Sequence, residues 1–279
     1  FYNRKKSKFL KIVDNVYPRV DYLNIMPLRK AIYETFEENI IHANGMERIF
    51  EMVNQNIMPT PGSVMESTLK LYENLGNLLT IDVGGATTDI HSVAIPSDDF
   101  KGYQEGEPLS KRTVEGDLGV FINHENVLKM IDKDRLLEDL SVSEKRFDQL
   151  LSNYSYIPVE KDQFSLVFKL TEKCTELALD RHAGDLRKVF TSSGQKIIPE
   201  GKDLTMVEYI ILTGGALINL EGTENIIYNY IKKNPSKLLP NKNVKVLKDY
   251  DYIMASLGVL SLKYPEIALV LLKKSLRIE

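Results

Sequence analysis

The chain has 279 residues, 43% hydrophobic and 27% charged, with a formal net charge of −3. That is globular composition, enough for one large domain or two modest ones, and the acidic balance argues against a nucleic-acid binder held by phosphate contacts. No apolar stretch is long enough to span a bilayer, and the single cysteine, Cys174, excludes an internal disulfide framework or a four-cysteine metal site. With no visible signal peptide, a cytoplasmic location fits best; the first residue, Phe1, is what a fragment would show.

A short β-prone run, Val16–Val20, follows a basic start. Leu28, Ile32, Tyr33, Phe36 and Ile40 recur at helical spacing behind Pro27, and Asn44-Gly45 reads as a stop. A second helix is predicted through Ile49, Phe50, Met52 and Val53. Thr60 can cap a third, with Pro61 as its first residue, running to about Glu73. That helix delivers the chain to Leu78–Val93, an apolar run that ends on Asp82, turns through Gly84-Gly85-Ala86-Thr87-Thr88, meets Asp89 and resumes as an apolar run.

This is a β-hairpin whose tip suits phosphate. Paired glycines let backbone amides approach an anion with no Cβ in the way, and Thr87 and Thr88 add hydroxyl donors. Carboxylates do not bind phosphate, but Asp82 and Asp89 make sense as ligands, direct or through water, of a Mg²⁺ that prefers oxygen and keeps much of its hydration shell. The plain alternative is a tight turn built from ordinary turn formers.

Downstream, a polar loop at Ser97–Gly106 leads to Glu107-Pro108-Leu109-Ser110-Lys111-Arg112-Thr113-Val114-Glu115-Gly116-Asp117-Leu118-Gly119. Residues 125–155 read as charge-rich helices forming a surface insertion, a candidate partner contact because insertions commonly carry specificity. Ser165–His182 is an amphipathic helix ending at Ala183-Gly184, with Cys174 a buried thiol on it. Val207–Leu212 is a continuous β-prone run, the mark of a strand buried on both faces, and leads into Thr213-Gly214-Gly215, a strand-to-helix turn of bare backbone. A helix at Asn225–Ile231, a short strand at Val244–Val246, a helix at Asp251–Leu260 and a last helix from Pro265 complete the chain. His42, His91 and His124 form no metal-ligand pattern, and His182 fits a hydrogen-bonding role at a helix end.

The hairpin and the later Gly-Gly turn resemble the second phosphate loop and the adenosine turn of the actin, heat-shock chaperone and sugar kinase superfamily. The whole set is more specific. Asp82-Val83-Gly84-Gly85-Ala86-Thr87-Thr88-Asp89 with His91-Ser92-Val93, Lys111–Gly119, Arg181-His182-Ala183-Gly184, Gly201-Lys202-Asp203-Leu204-Thr205, Tyr252-Ile253-Met254-Ala255 and Tyr264-Pro265-Glu266 resemble the GlmL/MutL family, with Met58-Pro59-Thr60-Pro61 also in place. Its members are accessory proteins of glutamate (methylaspartate) mutase and related adenosylcobalamin-dependent mutases.

The resemblance implies an α/β fold: an actin-like ATPase with a ribonuclease H-like lobe, its mixed sheet flanked by helices. Residues 1–76 would be the tail of a first lobe and linking helices, and 77–279 the second lobe with the helical insertion at about 125–155. The first lobe's phosphate hairpin has no counterpart before Asp82, so ATP hydrolysis by this chain alone is expected to be weak. Implied cofactors are ATP and Mg²⁺. The implied function is a chaperone-like reactivating factor for a mutase, with a small-molecule kinase or a non-catalytic nucleotide-binding scaffold as alternatives. The implied partners are mutase subunits, with neither nucleic acid nor membrane. Asp82 and Asp89 would position the metal and its waters, and Gly84, Gly85, Ala86 and Thr87 would line the phosphates. Thr88 would contribute to the same loop, and Gly214 and Gly215 would hold adenosine. Glu115 and Asp117 fit either the metal or attacking water, or a capped loop before a helix. Arg112 fits either a phosphate or a surface ion pair.

Overall fold

The computed structural model describes residues 10–19, 24, 27–28, 31–32, 35, 46–53, 57–104, 107–191 and 194–278. Contacts divide the chain into two units, Phe1–Pro59 and Thr60–Glu279. In the first, the described residues between 27 and 35 are helical, as the spacing behind Pro27 predicts, and α1 spans Met46–Met52. The rest of that first helix and the stop at Asn44-Gly45 lie outside the described residues. The run expected to be β at Val16 is irregular up to a single bridge residue at Arg19.

The second unit begins with α2 (Thr60–Leu75), so this helix belongs with the sheet that follows rather than with the segment before it. Then come β1 (Leu78–Val83) and β2 (Thr88–Val93), the expected hairpin, and β3 (Ser110–Glu115). Helices α3 (His124–Leu128), α4 (Lys133–Leu140) and α5 (Glu144–Ser152) lead to the long α6 (Lys161–His182). A two-stranded ribbon, β4 (Asp185–Thr191) and β5 (Gly194–Glu200), precedes β6 (Tyr209–Thr213). The chain continues through α7 (Gly215–Asn219), α8 (Glu224–Lys233), β7 (Lys245–Lys248), α9 (Met254–Ser261) and α10 (Pro265–Ser275).

The main sheet has the order β3-β2-β1-β6-β7. β1, β2 and β3 are successive antiparallel neighbours, and β6 and β7 run parallel to β1. This is the mixed sheet flanked by helices that the resemblance implied. Strand alternation sorts side chains onto two faces. Leu79, Ile81, Val83, Ile90, Ile210 and Leu212 pack on α6 residues such as Leu166, Leu170, Cys174 and Leu179. Leu136, Phe147 and Leu150 join the same core, so the charge-rich helices at 125–155 are anchored in it rather than standing off as a separate insertion. On the other face Leu78 and Ile211 meet Val64 and Leu71 of α2, Met254 and Leu257 of α9, and Leu272 and Leu276.

Buried polar groups tie the loops to this frame. The Lys202 ammonium donates to the carbonyls of Ala94 (3.1 Å), Pro108 (2.7 Å) and Leu109 (3.0 Å), while burial pushes its pKa down to about 8. Asp203 accepts from the Ser97 amide at 2.8 Å and from the Thr205 amide and hydroxyl at 2.8 and 2.7 Å. Buried His182 bridges Thr113 (2.9 Å) and Ser92 (2.8 Å), the hydrogen-bonding role expected of it.

The helical layer on the second face is tight at one point. A Cβ on Gly258 of α9 would lie 1.7 Å from the Ser63 carbonyl oxygen of α2. Gly258→Ala is therefore expected to destabilise the protein by about 2 kcal/mol, the usual scale of overpacking. Denaturant unfolding checks this, and an unchanged midpoint would contradict the α2–α9 packing.

Candidate nucleotide site

Asp82 and Asp89 are a directly opposed pair in the β1–β2 ladder. On its other side Asp82 is in register with Thr213, the last residue of β6. The alternation that puts apolar side chains on the α6 face sends both carboxylates to the opposite face, at the end of the sheet where the hairpin turns. Asp89 is 3% exposed and accepts only from the Thr87 hydroxyl, at 3.2 Å through Oδ2; its Oδ1 has no partner among the described residues.

The turn between them has a fixed polarity. The Gly84 amide donates to the Thr87 carbonyl at 2.9 Å. The Gly84 carbonyl accepts from the Val120 amide (3.1 Å), and that of Gly85 accepts from Phe121 (2.8 Å) and Ile122 (2.7 Å). The Ala86 carbonyl accepts from Asn123 Nδ2 at 2.6 Å. In a trans peptide the N–H of the next residue points opposite to the C=O. With these carbonyls turned toward residues 120–123, the amides of Gly85, Ala86 and Thr87 point away from that segment, and they donate to no atom of the described residues. Ala86 does not have a positive φ, so the alanine fits the turn without strain.

The Gly214-Gly215 turn meets this tip. Gly214 has φ +91°, and a Cβ there would lie 2.4 Å from the Val83 carbonyl oxygen and 2.7 Å from Asp82 Oδ1. Only glycine permits both that conformation and that approach. Gly215 differs: a Cβ on it would meet nothing within 4 Å. It opens on a cleft of about 470 Å³, with Gly84 and Gly85 on one side and Gly215 and Ala216 on the other. Phe121, Tyr154, Tyr156 and Tyr252 are among its walls. Phe121 and Tyr156 meet edge-to-face, with centroids 5.4 Å apart.

Sequence reasoning missed these aromatic walls, and it missed Asp249. That buried acid accepts from the Thr213 hydroxyl (3.0 Å), the Met254 amide (3.0 Å), the Ile253 amide (3.3 Å) and the Ser275 hydroxyl (2.5 Å). It thereby anchors the turn carrying Tyr252, a non-glycine residue at φ +51°. The one local signal was an Asp just ahead of a helix start, where caps are common.

The electrostatics favour a cation. Burial raises the Asp82 carboxyl to about 6, and the Asp249 charge adds to it. Burial raises Asp89 to about 7; Asp82 adds, the Thr87 hydroxyl and Arg112 pull the other way, and Glu115 adds again. Among the described residues neither acid has a cationic side chain bonded to it. Among the described residues no group of three or more His, Cys, Asp or Glu side chains is placed to hold a metal by itself. A Mg²⁺ here would take one or both carboxylates and complete its shell with water and phosphate oxygens, which is how this ion is usually bound. Asp89 Oδ1, buried and unpartnered, fits that role, and the free amides and the open space at Gly215 fit a nucleotide.

Other expected site residues are placed differently. The Thr88 hydroxyl is buried on the α6 face of the sheet, beside Val83, and is taken up by the Leu118 carbonyl at 2.9 Å. Glu115 and Asp117 are gripped by Arg181, at 2.5 Å for Glu115 and through paired contacts of 2.7 and 2.8 Å for Asp117. Their charges are already answered, and the loop role, not the metal or water role, is the one the geometry supports. Arg112 pairs in the ladder with His91, two residues along β2 from Asp89, and its charge reaches that carboxyl. His91 is fully buried with neither ring nitrogen bonded among the described residues, and burial, helped by Arg112, pushes its pKa down to about 3, so it stays neutral.

Low structural likeness extends to the Acidaminococcus fermentans (R)-2-hydroxyglutaryl-CoA dehydratase component A, 12% identical, covering 78% of this chain and 69% of that one at a TM-score of 0.32. The activator of the 2-hydroxyisocaproyl-CoA dehydratase from Clostridium difficile, with bound ADPNP, is 10% identical over 76% of this chain and 66% of that one, at a TM-score of 0.33. Scores at this level say nothing about function. In sequence, the chain is 29% identical over 289 aligned residues to Protein MutL of Clostridium tetanomorphum; the match covers 98% of this chain and 62% of that protein's length. Residues 4–276, nearly the whole chain with every motif of the cleft, match the profile described as MutL protein, and the chain belongs to that family.

Proposed function

We propose that this chain carries one half of a Mg²⁺–ATP site in an accessory factor that reactivates an adenosylcobalamin-dependent mutase. The observation that supports this best is a run of three backbone amides, at Gly85, Ala86 and Thr87, that donate to no atom of the described residues, beside a cleft lined by Gly85 and the bare backbone of Gly215. The amides supply donors for phosphate oxygens, and the aromatic walls supply apolar surface for a base. Mg²⁺, when bound, neutralises the polyphosphate and polarises it, while Asp82 and Asp89 orient the ion and its waters. The mutase partner and the reactivating role are what the family resemblance implies.

The experiment incubates the full-length protein with Mg²⁺–ATP, with and without a mutase carrying damaged cobalamin, and follows phosphate and cobalamin release. ATP-dependent cobalamin release is the expected result. Nucleotide binding with no release would leave the scaffold reading, and phosphoryl transfer to a small molecule would leave the kinase reading.

A further inference from the structure

The segment from Glu115 to Asn123 has a function that its sequence motif does not announce. It contributes no side chain to a metal site, yet it takes up every backbone carbonyl from Gly84 to Ala86. Gly119 makes the contact possible: a Cβ there would lie 2.4 Å from the Ala86 carbonyl carbon and 2.6 Å from the Gly85 oxygen. Asn123 closes the arrangement. Its Nδ2 donates both to Ala86 O at 2.6 Å and to Gly116 O at 3.0 Å, so one side-chain amide joins the hairpin tip to the start of the segment. Arg181, in the last turn of α6, holds that start through Glu115 and Asp117.

We infer that Asn123 is a positioning residue for the phosphate end of the cleft: it fixes the peptide plane between Ala86 and Thr87 so that the Thr87 amide faces the anion. This rests on the nucleotide reading of the site and deepens it. The peptide has two ways to face, related by a flip, and only one presents a donor to phosphate. The other presents a carbonyl oxygen, which repels it. Asn123 contributes the hydrogen bond that selects the first. The α6–Arg181 contact extends the same support, so that the hairpin tip is braced from the long helix behind the sheet.

The test is equilibrium binding of ADP and of adenosine, with Mg²⁺, to the full-length protein and to its Asn123→Ala and Asn123→Asp variants. Asn123 is part-exposed and makes no side-chain cap to α3, so the fold should tolerate both changes. ADP affinity is expected to fall about tenfold in Asn123→Ala, which corresponds to about 1.4 kcal/mol, one hydrogen bond to a charged ligand. Asn123→Asp should weaken ADP at least as much, because a carboxylate keeps the size but has no N–H to donate. Adenosine affinity should be unchanged in both. If ADP binds the variants as tightly as the unaltered protein, or if adenosine is weakened equally, the inference is overturned while the nucleotide reading stands. If the unaltered protein binds no ADP, both are overturned.

Discussion

In the full-length protein, Asp82→Asn is expected to lower Mg²⁺-dependent ATP turnover by about 100- to 1000-fold while leaving the protein at least as stable at pH 8. The first part follows from position. The side chain stands at the junction of the hairpin and Gly214, where a positioned charge acting on the transition state is typically worth about 3 kcal/mol. The second follows from linkage. The folded pKa is raised from 3.8 to about 6, with Asp89 raised to about 7. Between the unfolded and folded values the native state holds protons that the unfolded chain has lost. The stability these acids contribute is therefore fully present below about pH 4 and is lost as pH rises through 6 to 7.

Removing the charge relieves that loss. Melting temperatures between pH 5 and pH 8, without nucleotide, should fall less steeply in Asp82→Asn than in the unaltered protein. Nucleotide binding with Mg²⁺ should strengthen over the same window, because the ion takes the deprotonated acids. A variant that keeps full turnover at saturating Mg²⁺ would remove Asp82 from the site. A variant that loses stability at pH 8 would mean the carboxylate has a structural partner instead.

Gly214→Ala and Gly215→Ala should differ sharply, although the residues are neighbours. Alanine at 214 must adopt φ near +91° and push its methyl into Val83 and Asp82. Together these should destabilise the fold by about 3 kcal/mol and abolish nucleotide binding. Alanine at 215 meets nothing within 4 Å and has no positive φ, so unfolding should be nearly unchanged. Its methyl projects where the nucleotide would lie, and affinity should drop. Thermal unfolding and nucleotide titration of the two variants separate the effects. If Gly214→Ala is as stable as the parent, the close approach is wrong. If Gly215→Ala binds normally, the ligand does not use this turn.

The hairpin and the Gly-Gly turn were legible because their requirements are local. An apolar run, bare backbone and flanking acids are written in consecutive residues, and the ladder puts Asp82 opposite Asp89 as the hairpin reading demands. β3 was not read as a strand, because Ser110–Glu115 is an edge strand with polar side chains at most positions and no apolar alternation. The β4–β5 ribbon was missed for a similar reason: it is exposed along most of its length, with Lys188, Lys196 and Arg187 between its apolar residues.

In the site, the misread residues depend on partners distant in sequence. Nothing near Glu115 or Asp117 announces Arg181, and nothing near Asp249 announces Thr213 or Ser275. Tyr154 lies at the end of the charge-rich stretch read as a surface insertion and Tyr156 just beyond it, yet both line the cleft with Gly85. Thr88 was within reach of sequence reasoning, since strand alternation places it on the face opposite Asp89.

The most direct measurement is a crystal structure of the full-length protein with Mg²⁺–ADP. Phosphate oxygens within hydrogen-bonding distance of the Gly85, Ala86 and Thr87 amides, adenosine against Gly215, and Mg²⁺ bound directly or through water to Asp82 and Asp89 are the expected result. A nucleotide seated elsewhere, or one in this cleft with its phosphates turned away from the hairpin and no ion near Asp82, would contradict it.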